Sequence, residues 1–396
     1  MVVRLLIIQH AGDYREAVRR FLKGEDETYY AQKYTINVVA EIGDKIDEVA
    51  TLCCLTKEPY NEVLANGVRA IGTGFFEKVQ TYKLIKLLEE YNPTHLVIRT
   101  PVRQIFSWAI KRKIKILVTL ADSFEAKGLR NKFRNYLLAN LLNNRQIDWV
   151  GNHGVSSCIS LAKIGVDRDK IIPWDLPHVI TPNFFSPKTL ITDRDTREIL
   201  YVGAIEEAKG IGDILKAISY LKSQGLSIKL KVIGKGNVER FINITKHLKI
   251  EKRVEFLGLV PNRSIISLMR KADSVIVPSR YEYPEGFPFV IYEAFCSRTP
   301  IIASDHPMFR SKLIHKINAL IFPASDSVAL ALCIKNLLSN SELYQKLSLA
   351  SYEAWKSLQI PVTWGQLIER WLFDSLENKK WLFEHRLSSG KYKITQ

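Results

Sequence analysis

Two glutamates, Glu285 and Glu293, flank a short apolar string in the segment Pro278-Ser-Arg-Tyr-Glu-Tyr-Pro-Glu-Gly-Phe-Pro-Phe-Val-Ile-Tyr-Glu-Ala-Phe295. A buried strand is expected just before it, ending at Pro278, so Ser279 opens the loop. Pro288 suits the first position of a helix, where its missing N–H costs nothing. Gly286, Phe287, Pro288 and Phe289 then lie at a helix N-terminus. The free backbone N–H groups of Gly286, Phe287 and Phe289 would attract an anion there, a diphosphate above all. Glu285 sits just before this helix and Glu293 inside it, so the two can touch different parts of one extended ligand. A glycosidase carboxylate pair is the alternative use of two such acids. The helix-start anion site instead favours a phosphorylated leaving group.

A second segment, Tyr201-Val-Gly-Ala-Ile-Glu-Glu-Ala-Lys-Gly-Ile211, reads as strand, glycine turn and helix. Gly203 makes the turn. Lys209 is either a solvated lysine at a helix start or a phosphate ligand. Val232-Ile-Gly-Lys-Gly236 and Phe256-Leu-Gly-Leu-Val260, which includes Leu259, are further strand-end turns. A Gly-x-Gly alone fits any such junction. In the first half, Arg99 and Asp122 fall at strand ends, as does His10 after the first strand.

The elements that must position these residues follow from an alternation of short β-branched runs with helical periodicity. Strands are expected at Val3–Gln9, Val49–Leu55, Val68–Gly72, His95–Arg99, Ile114–Leu120 and Asp148–Gly151. A second set is expected at Ile199–Gly203, Ile228–Gly234, Val254–Gly258, Ser274–Pro278, Pro300–Ala303 and Ala319–Phe322. Helical periodicity marks Lys78–Tyr91, Phe124–Asn144, Ile211–Gln224, Asn237–Leu248, Ser264–Ala272 and Ser327–Ser339. Continuous apolar strands alternating with helices imply α/β architecture with doubly wound parallel sheets. So many strands exceed one compact sheet, which predicts two Rossmann-like domains. Thr181–Thr196, with two prolines and weak periodicity, reads as the linker. The expected division is 1–185, 196–362 and a helical tail at 363–396. Ligands in such folds bind at the carboxyl ends of the strands.

Composition narrows the class. The chain has 396 residues, 46% hydrophobic and 25% charged, in the range of a globular protein. No apolar run is long enough for a spanning helix, and the amino terminus reads as a buried strand rather than a signal peptide. Five cysteines without framework spacing suggest reduced thiols and a cytoplasmic setting. A net charge of +16 favours anionic partners. The excess is spread along the chain, with no basic block or zinc-finger spacing, which argues against nucleic acid. Lys127, Arg130, Lys132 and Arg134 lie beside Phe133, Tyr136 and Leu137. That mixture suits either docking to anionic lipid on the inner face of a membrane or a core helix with a solvated basic face.

The string around Glu285 and Glu293 resembles the signature of retaining glycosyltransferase family 4, which has the GT-B fold. Glu285, Gly286, Phe287, Pro288, Glu293 and Ala294 match its Glu-Gly-Phe-Pro…Glu-Ala pattern. Arg298-Thr-Pro-Ile-Ile-Ala-Ser304 resembles the strand that closes the family's donor site. Gly203, Lys209 and Gly210 match its phosphate loop, but Ala204 stands where the family has an arginine. Ala121 likewise stands where a histidine often touches the donor sugar. Thr363–Trp371 resembles the final helix, which crosses back to the first domain.

The resemblance implies a nucleotide-diphospho-sugar donor, with UDP-glucose the default, and a hydroxylated acceptor. It implies Lys209 and Glu285 as catalytic groups. Gly203, Lys209, Ser279, Leu259, Gly286, Phe287, Pro288, Phe289 and Glu293 would bind the donor, Glu293 on the ribose hydroxyls. Asp122, Arg99 and His10 are the acceptor-side candidates. No Asp-x-Asp in a family-like position is present, so neither a metal nor another cofactor is expected. A sugar-nucleotide epimerase or hydrolase on the same fold, and a non-catalytic nucleotide-sugar or membrane-binding protein, are the alternatives.

Overall fold

A computed structural model describes residues 2–10, 12–75, 78–124, 128–191, 194–285, 287–310 and 312–392. Gly286 and Lys127 therefore lie outside the described residues. The chain forms two compact units. The first comprises Met1–Glu27, Ala31–Pro177 and the tail from Ile360; the second comprises Thr28–Tyr30 and His178–Gln359. The changeover at Pro177/His178 precedes the Thr181–Thr196 segment. Pro182 already belongs to the second unit, where its carbonyl accepts from Arg298 Nε at 3.2 Å.

The first sheet contains β1 (Arg4–Gln9), β2 (Glu48–Cys53), β3 (Pro59–Val63), β4 (Arg69–Thr73), β5 (His95–Ile98), β6 (Lys115–Leu120), β7 (Ile147–His153) and β8 (Ile171–Trp174). Their order across the sheet is β3-β4-β2-β1-β5-β6-β7-β8, parallel except for β3. The second sheet contains β9 (Arg197–Val202), β10 (Ile228–Ile233), β11 (Val254–Gly258), β12 (Ser274–Val277), β13 (Ile301–Ser304) and β14 (Leu320–Phe322). Its order is β11-β10-β9-β12-β13-β14, parallel throughout. Both are doubly wound, and in each the direction of travel reverses once. The reversal falls between β1 and β5 in the first sheet and between β9 and β12 in the second. At these points the loops leave on opposite faces and open a crevice.

Apolar residues run continuously through these strands because each sheet is covered on both faces. Along β1, Leu6 and Ile8 enter one core while Leu5 and Ile7 enter the other. Along β12, Ile276 faces one core while Val275 and Val277 face the other. Each fully buried Leu or Ile contributes about 1.5–3 kcal/mol.

The two edges of the first sheet are β3 and β8. β3 is half exposed along its length and starts with Pro59. β8 contains Pro173, which cannot donate to a ladder and is tolerated at a sheet edge. The helix expected over Phe124–Asn144 is shorter, Leu129–Leu142, and begins after Gly128 at φ 93°.

The tail belongs to the first unit. Thr363 and Gln366 form a capping box that starts the helix Trp364–Leu372. Trp364 is fully buried, and its indole N–H donates to Thr119 Oγ1 at 3.2 Å. Trp371 donates to Asp148 at 2.8 Å. Trp364→Ala is expected to cost about 3–5 kcal/mol. Equilibrium denaturation of the variant checks this, and an unchanged midpoint would contradict the packing role.

Candidate functional site

The site is built where the second sheet reverses. After β9 the chain turns at Gly203 and makes a short 3-10 turn at Glu207–Lys209. It then enters the helix Ile211–Ser223 through Gly210. Gly210 has φ 77°, and a Cβ there would meet the Pro278 carbonyl oxygen at 2.1 Å. Only glycine lets the loop after β9 press against the loop after β12. On the other side, a Cβ at Gly234 would lie 1.8 Å from the Gly203 oxygen, and one at Gly236 2.3 Å from the Ile205 oxygen. The Ile205 amide donates to the Lys235 carbonyl at 2.8 Å. Three strand-end loops are thus locked backbone to backbone.

Arg280 fastens the same loops with its side chain. Its Nε and Nη2 donate to the two Asp213 oxygens, each at 2.8 Å. Nη2 also lies 2.6 Å from Glu207. The Arg280 amide donates to the Ala208 carbonyl at 2.9 Å. This clamp sets Lys209 against Glu285. The two form an ion pair whose side chains are 12% and 6% exposed. Ser279 Oγ donates to Glu285 Oε1 at 2.5 Å, and Lys209 Nζ sits 4.4 Å from the centre of the Tyr283 ring. Ser304 Oγ donates to the Ser279 carbonyl at 2.6 Å, tying β13 to this loop. Tyr201 OH donates to the Ala204 carbonyl at 2.6 Å, so Ala204 contributes a fixed backbone and no charge.

The helix after this loop runs Phe289–Cys296, and Pro288 is its N-cap rather than its first residue. The helix therefore starts one position later than its proline suggests. The Phe287 side chain is core, edge-on to Tyr292 and Phe309, so only its backbone can face a ligand. Phe289 stacks on Tyr30 at 5.2 Å. Glu293 is buried inside the helix and accepts from Asn262 Nδ2 at 3.1 Å. Burial pushes its carboxyl up to about 7, with the Asn262 hydrogen bond opposing. The two glutamates thus have separate partners and separate environments. Leu259 is 53% exposed just beyond β11.

In the first unit, His10, Arg99 and Asp122 fall at the carboxyl ends of β1, β5 and β6, which are neighbours in the sheet. His10 is exposed. The Arg99 guanidinium lies 4.7 Å from the centre of the Trp364 ring. Burial raises the Asp122 carboxyl, with His10 opposing. Sequence reasoning missed Arg280, Asp213, Tyr283 and Asn262. Arg280 and Asp213 are far apart along the chain and no local pattern links them. Among the described residues no cluster of three acidic, histidine or cysteine side chains could hold a metal ion. No helix among them is long and apolar enough to cross a membrane.

Residues 184–354 match the family model described as Glycosyl transferases group 1. The match lies in the second unit, and the chain as a whole has the GT-B fold of known glycosyltransferases. An uncharacterized glycosyltransferase of Haemophilus influenzae is 24% identical over 286 residues, which covers 69% of this chain and 79% of that protein. Other curated relatives align over 36–45% of their own lengths. Among solved structures, sucrose-phosphate synthase from Thermosynechococcus elongatus superposes with a TM-score of 0.69 at 17% identity, over 94% of this chain and 100% of that one. Anabaena HepE in complex with UDP-glucose superposes at 0.64 with 14% identity, over 96% and 98%.

The Glu293 environment sets a pH dependence of stability. Its ordinary value is 4.5 and its folded value about 7. Between these, the folded chain holds a proton that the unfolded chain has released. Stability contributed by the neutral form is therefore full below 4.5 and lost as pH rises through about 7. Glu293→Gln should remove this fall, and urea denaturation at pH 5 and pH 8 reads it. Identical pH slopes for variant and wild type would contradict the assignment.

Proposed function

We propose that the chain transfers a hexosyl group from a nucleotide-diphospho-sugar, UDP-glucose first among candidates, to an acceptor hydroxyl with retention of anomeric configuration. The observation that carries this reading is the buried Lys209–Glu285 pair at the reversal point of the second sheet. Strands feeding a crevice at that point are the general place for a nucleotide. HepE, which shares the fold, is described with UDP-glucose bound. The likeness to sucrose-phosphate synthase and to other glycosyltransferases is consistent with a sugar nucleotide as donor.

In this reading the donor diphosphate lies between Lys209 and the amino-terminal end of the helix Phe289–Cys296. The bond between the anomeric carbon and the β-phosphate oxygen breaks, and its electron pair leaves with the diphosphate. Lys209 and the free helix amides stabilise that developing charge in a partly dry site. Ala204 has no charge to offer, and Arg280 is committed to Asp213 and Glu207. Lys209 is therefore the cation on the leaving group. When the phosphate engages Lys209, Glu285 is freed to accept from donor-sugar hydroxyls and to orient the anomeric carbon. Ser279 holds it in place meanwhile. Glu293, with Asn262 beside it, accepts from the ribose hydroxyls. The acceptor oxygen attacks on the face the diphosphate leaves, and its proton passes to the departing phosphate oxygen. His10, Arg99 and Asp122 are the acceptor-side groups.

Glu285→Ala and Lys209→Ala should each lower sugar transfer by at least about a hundredfold, while circular dichroism shows the fold retained. Wild-type turnover in both would reject these roles. Product analysis with donor alone separates transfer from epimerisation or hydrolysis. With Lys209 as the charge-neutralising group, turnover should survive EDTA. Loss of activity restored by added Mg²⁺ would overturn that part of the proposal.

A further inference from the structure

Helix Leu129–Leu142 and helix Arg103–Lys111 both begin just beyond the carboxyl ends of strands in the first sheet, after β6 and β5. Between their amino-terminal turns lies a cavity of about 760 Å³. Its walls include Arg103, Arg130 and Arg134 together with Leu129, Phe133 and Leu137. Several half-buried or buried arginines elsewhere in this unit are paired with carboxylates. Arg15 is held by Glu58 and Glu62, and Arg4 and Arg69 share Glu48. Among the described residues no carboxylate forms an ion pair with Arg103, Arg130 or Arg134. Three guanidinium groups in one concavity repel one another and leave their fork-shaped donors on water. An arrangement of that kind is stabilised by a multivalent oxyanion, which can accept two parallel bonds from each fork.

The apolar side of the cavity sharpens the ligand. Leu129 is 85% exposed and Phe133 64% exposed. Such residues in the first turns of a helix, beside arginines, cost solubility and give no core packing. The cavity is of the size that holds a small ligand, and it is concave rather than a stripe along the surface. The chemistry it fits is a phosphate ester attached to an apolar or sugar-like body.

We propose that this cavity binds the phosphate group of a phosphorylated acceptor, with Arg103, Arg130 and Arg134 as its ligands and Leu129, Phe133 and Leu137 against the body of the molecule. The proposal rests on the transferase reading, since it names the class of acceptor. Its position fits that role, because the cavity opens at the same end of the sheet as His10, Arg99 and Asp122, where β1, β5 and β6 end. The phosphate can come from a soluble phosphorylated sugar or from a phospholipid headgroup in a bilayer. The chemistry at the arginines is shared.

The test uses the full chain. Glucose 1-phosphate is titrated by calorimetry, and vesicles of phosphatidylcholine with and without phosphatidylglycerol are assayed by flotation. Binding in either arm is expected, with Arg130→Ala/Arg134→Ala weakening it at least about tenfold. Saturable glucose 1-phosphate binding without flotation identifies a soluble phosphate ester. Recruitment only to phosphatidylglycerol vesicles identifies a lipid headgroup. Binding in neither arm, or equal binding by the double variant, overturns the proposal. UDP binding by the wild-type chain is measured alongside. Its absence would fault the donor reading, whereas UDP binding with neither phosphate probe bound would fault the cavity alone.

Discussion

A lysine and a glutamate facing each other with little access to water are the interaction on which the second unit is organised. Removing two charges from water is expensive, and their attraction repays it only when the geometry is held tightly. Lys209 and Glu285 come from different strand-end loops, so the loops themselves must be rigid. Glycine supplies that rigidity here by letting backbones touch. Gly210 lies against Pro278, Gly234 against Gly203, and Gly236 against Ile205, at distances no side chain would permit. The bidentate Arg280–Asp213 contact then fixes the same loops from the side. In the proposed reaction an incoming phosphate would offer the lysine a second anion and release the carboxylate for other hydrogen bonds.

The two glutamates of the signature are tuned apart by their surroundings. Glu285 has a cation and a hydroxyl donor beside it. Glu293 has one amide donor and is otherwise enclosed, so burial holds its proton up to about 7. A ligand that brings hydroxyl donors to Glu293 offsets part of that cost by solvating the carboxylate. The two acids thus sit in opposite electrostatic environments, although both lie on one short stretch of chain.

Charge is handled differently in the first unit. Most of its buried or half-buried cations have acidic partners, and the sheet end that carries His10, Arg99 and Asp122 is only partly covered. The arginines of the neighbouring cavity stand beside exposed apolar side chains, which neither the core nor bulk water accommodates well. A net charge of +16 is therefore not merely a diffuse solubilising surface. Part of it is gathered in one concave place.

How much of this was legible in advance depends on whether the determining contacts were local. Continuous apolar strands, the alternation with helices, and the Glu285–Glu293 string could be read directly, because strand burial and helix starts leave periodic or neighbouring signals. β3 and β8 left weaker signals, since β3 alternates exposed with half-buried residues and Pro173 interrupts the short buried run of β8. The helix start at Phe289 was misplaced by one residue because proline fits the N-cap as well as the first turn. Nothing local announced that Arg280 would meet Asp213, 67 residues away, or that Asn262 would reach Glu293. Nor could it show that Thr28–Tyr30 would join the second unit. By itself the chain's order of residue types determined most of the strands and helices and where the Glu285–Glu293 string lies among them. Only the tertiary structure decided which charges became partners, because long-range pairing is set by sheet order and loop packing, and neither leaves a trace in neighbouring residues.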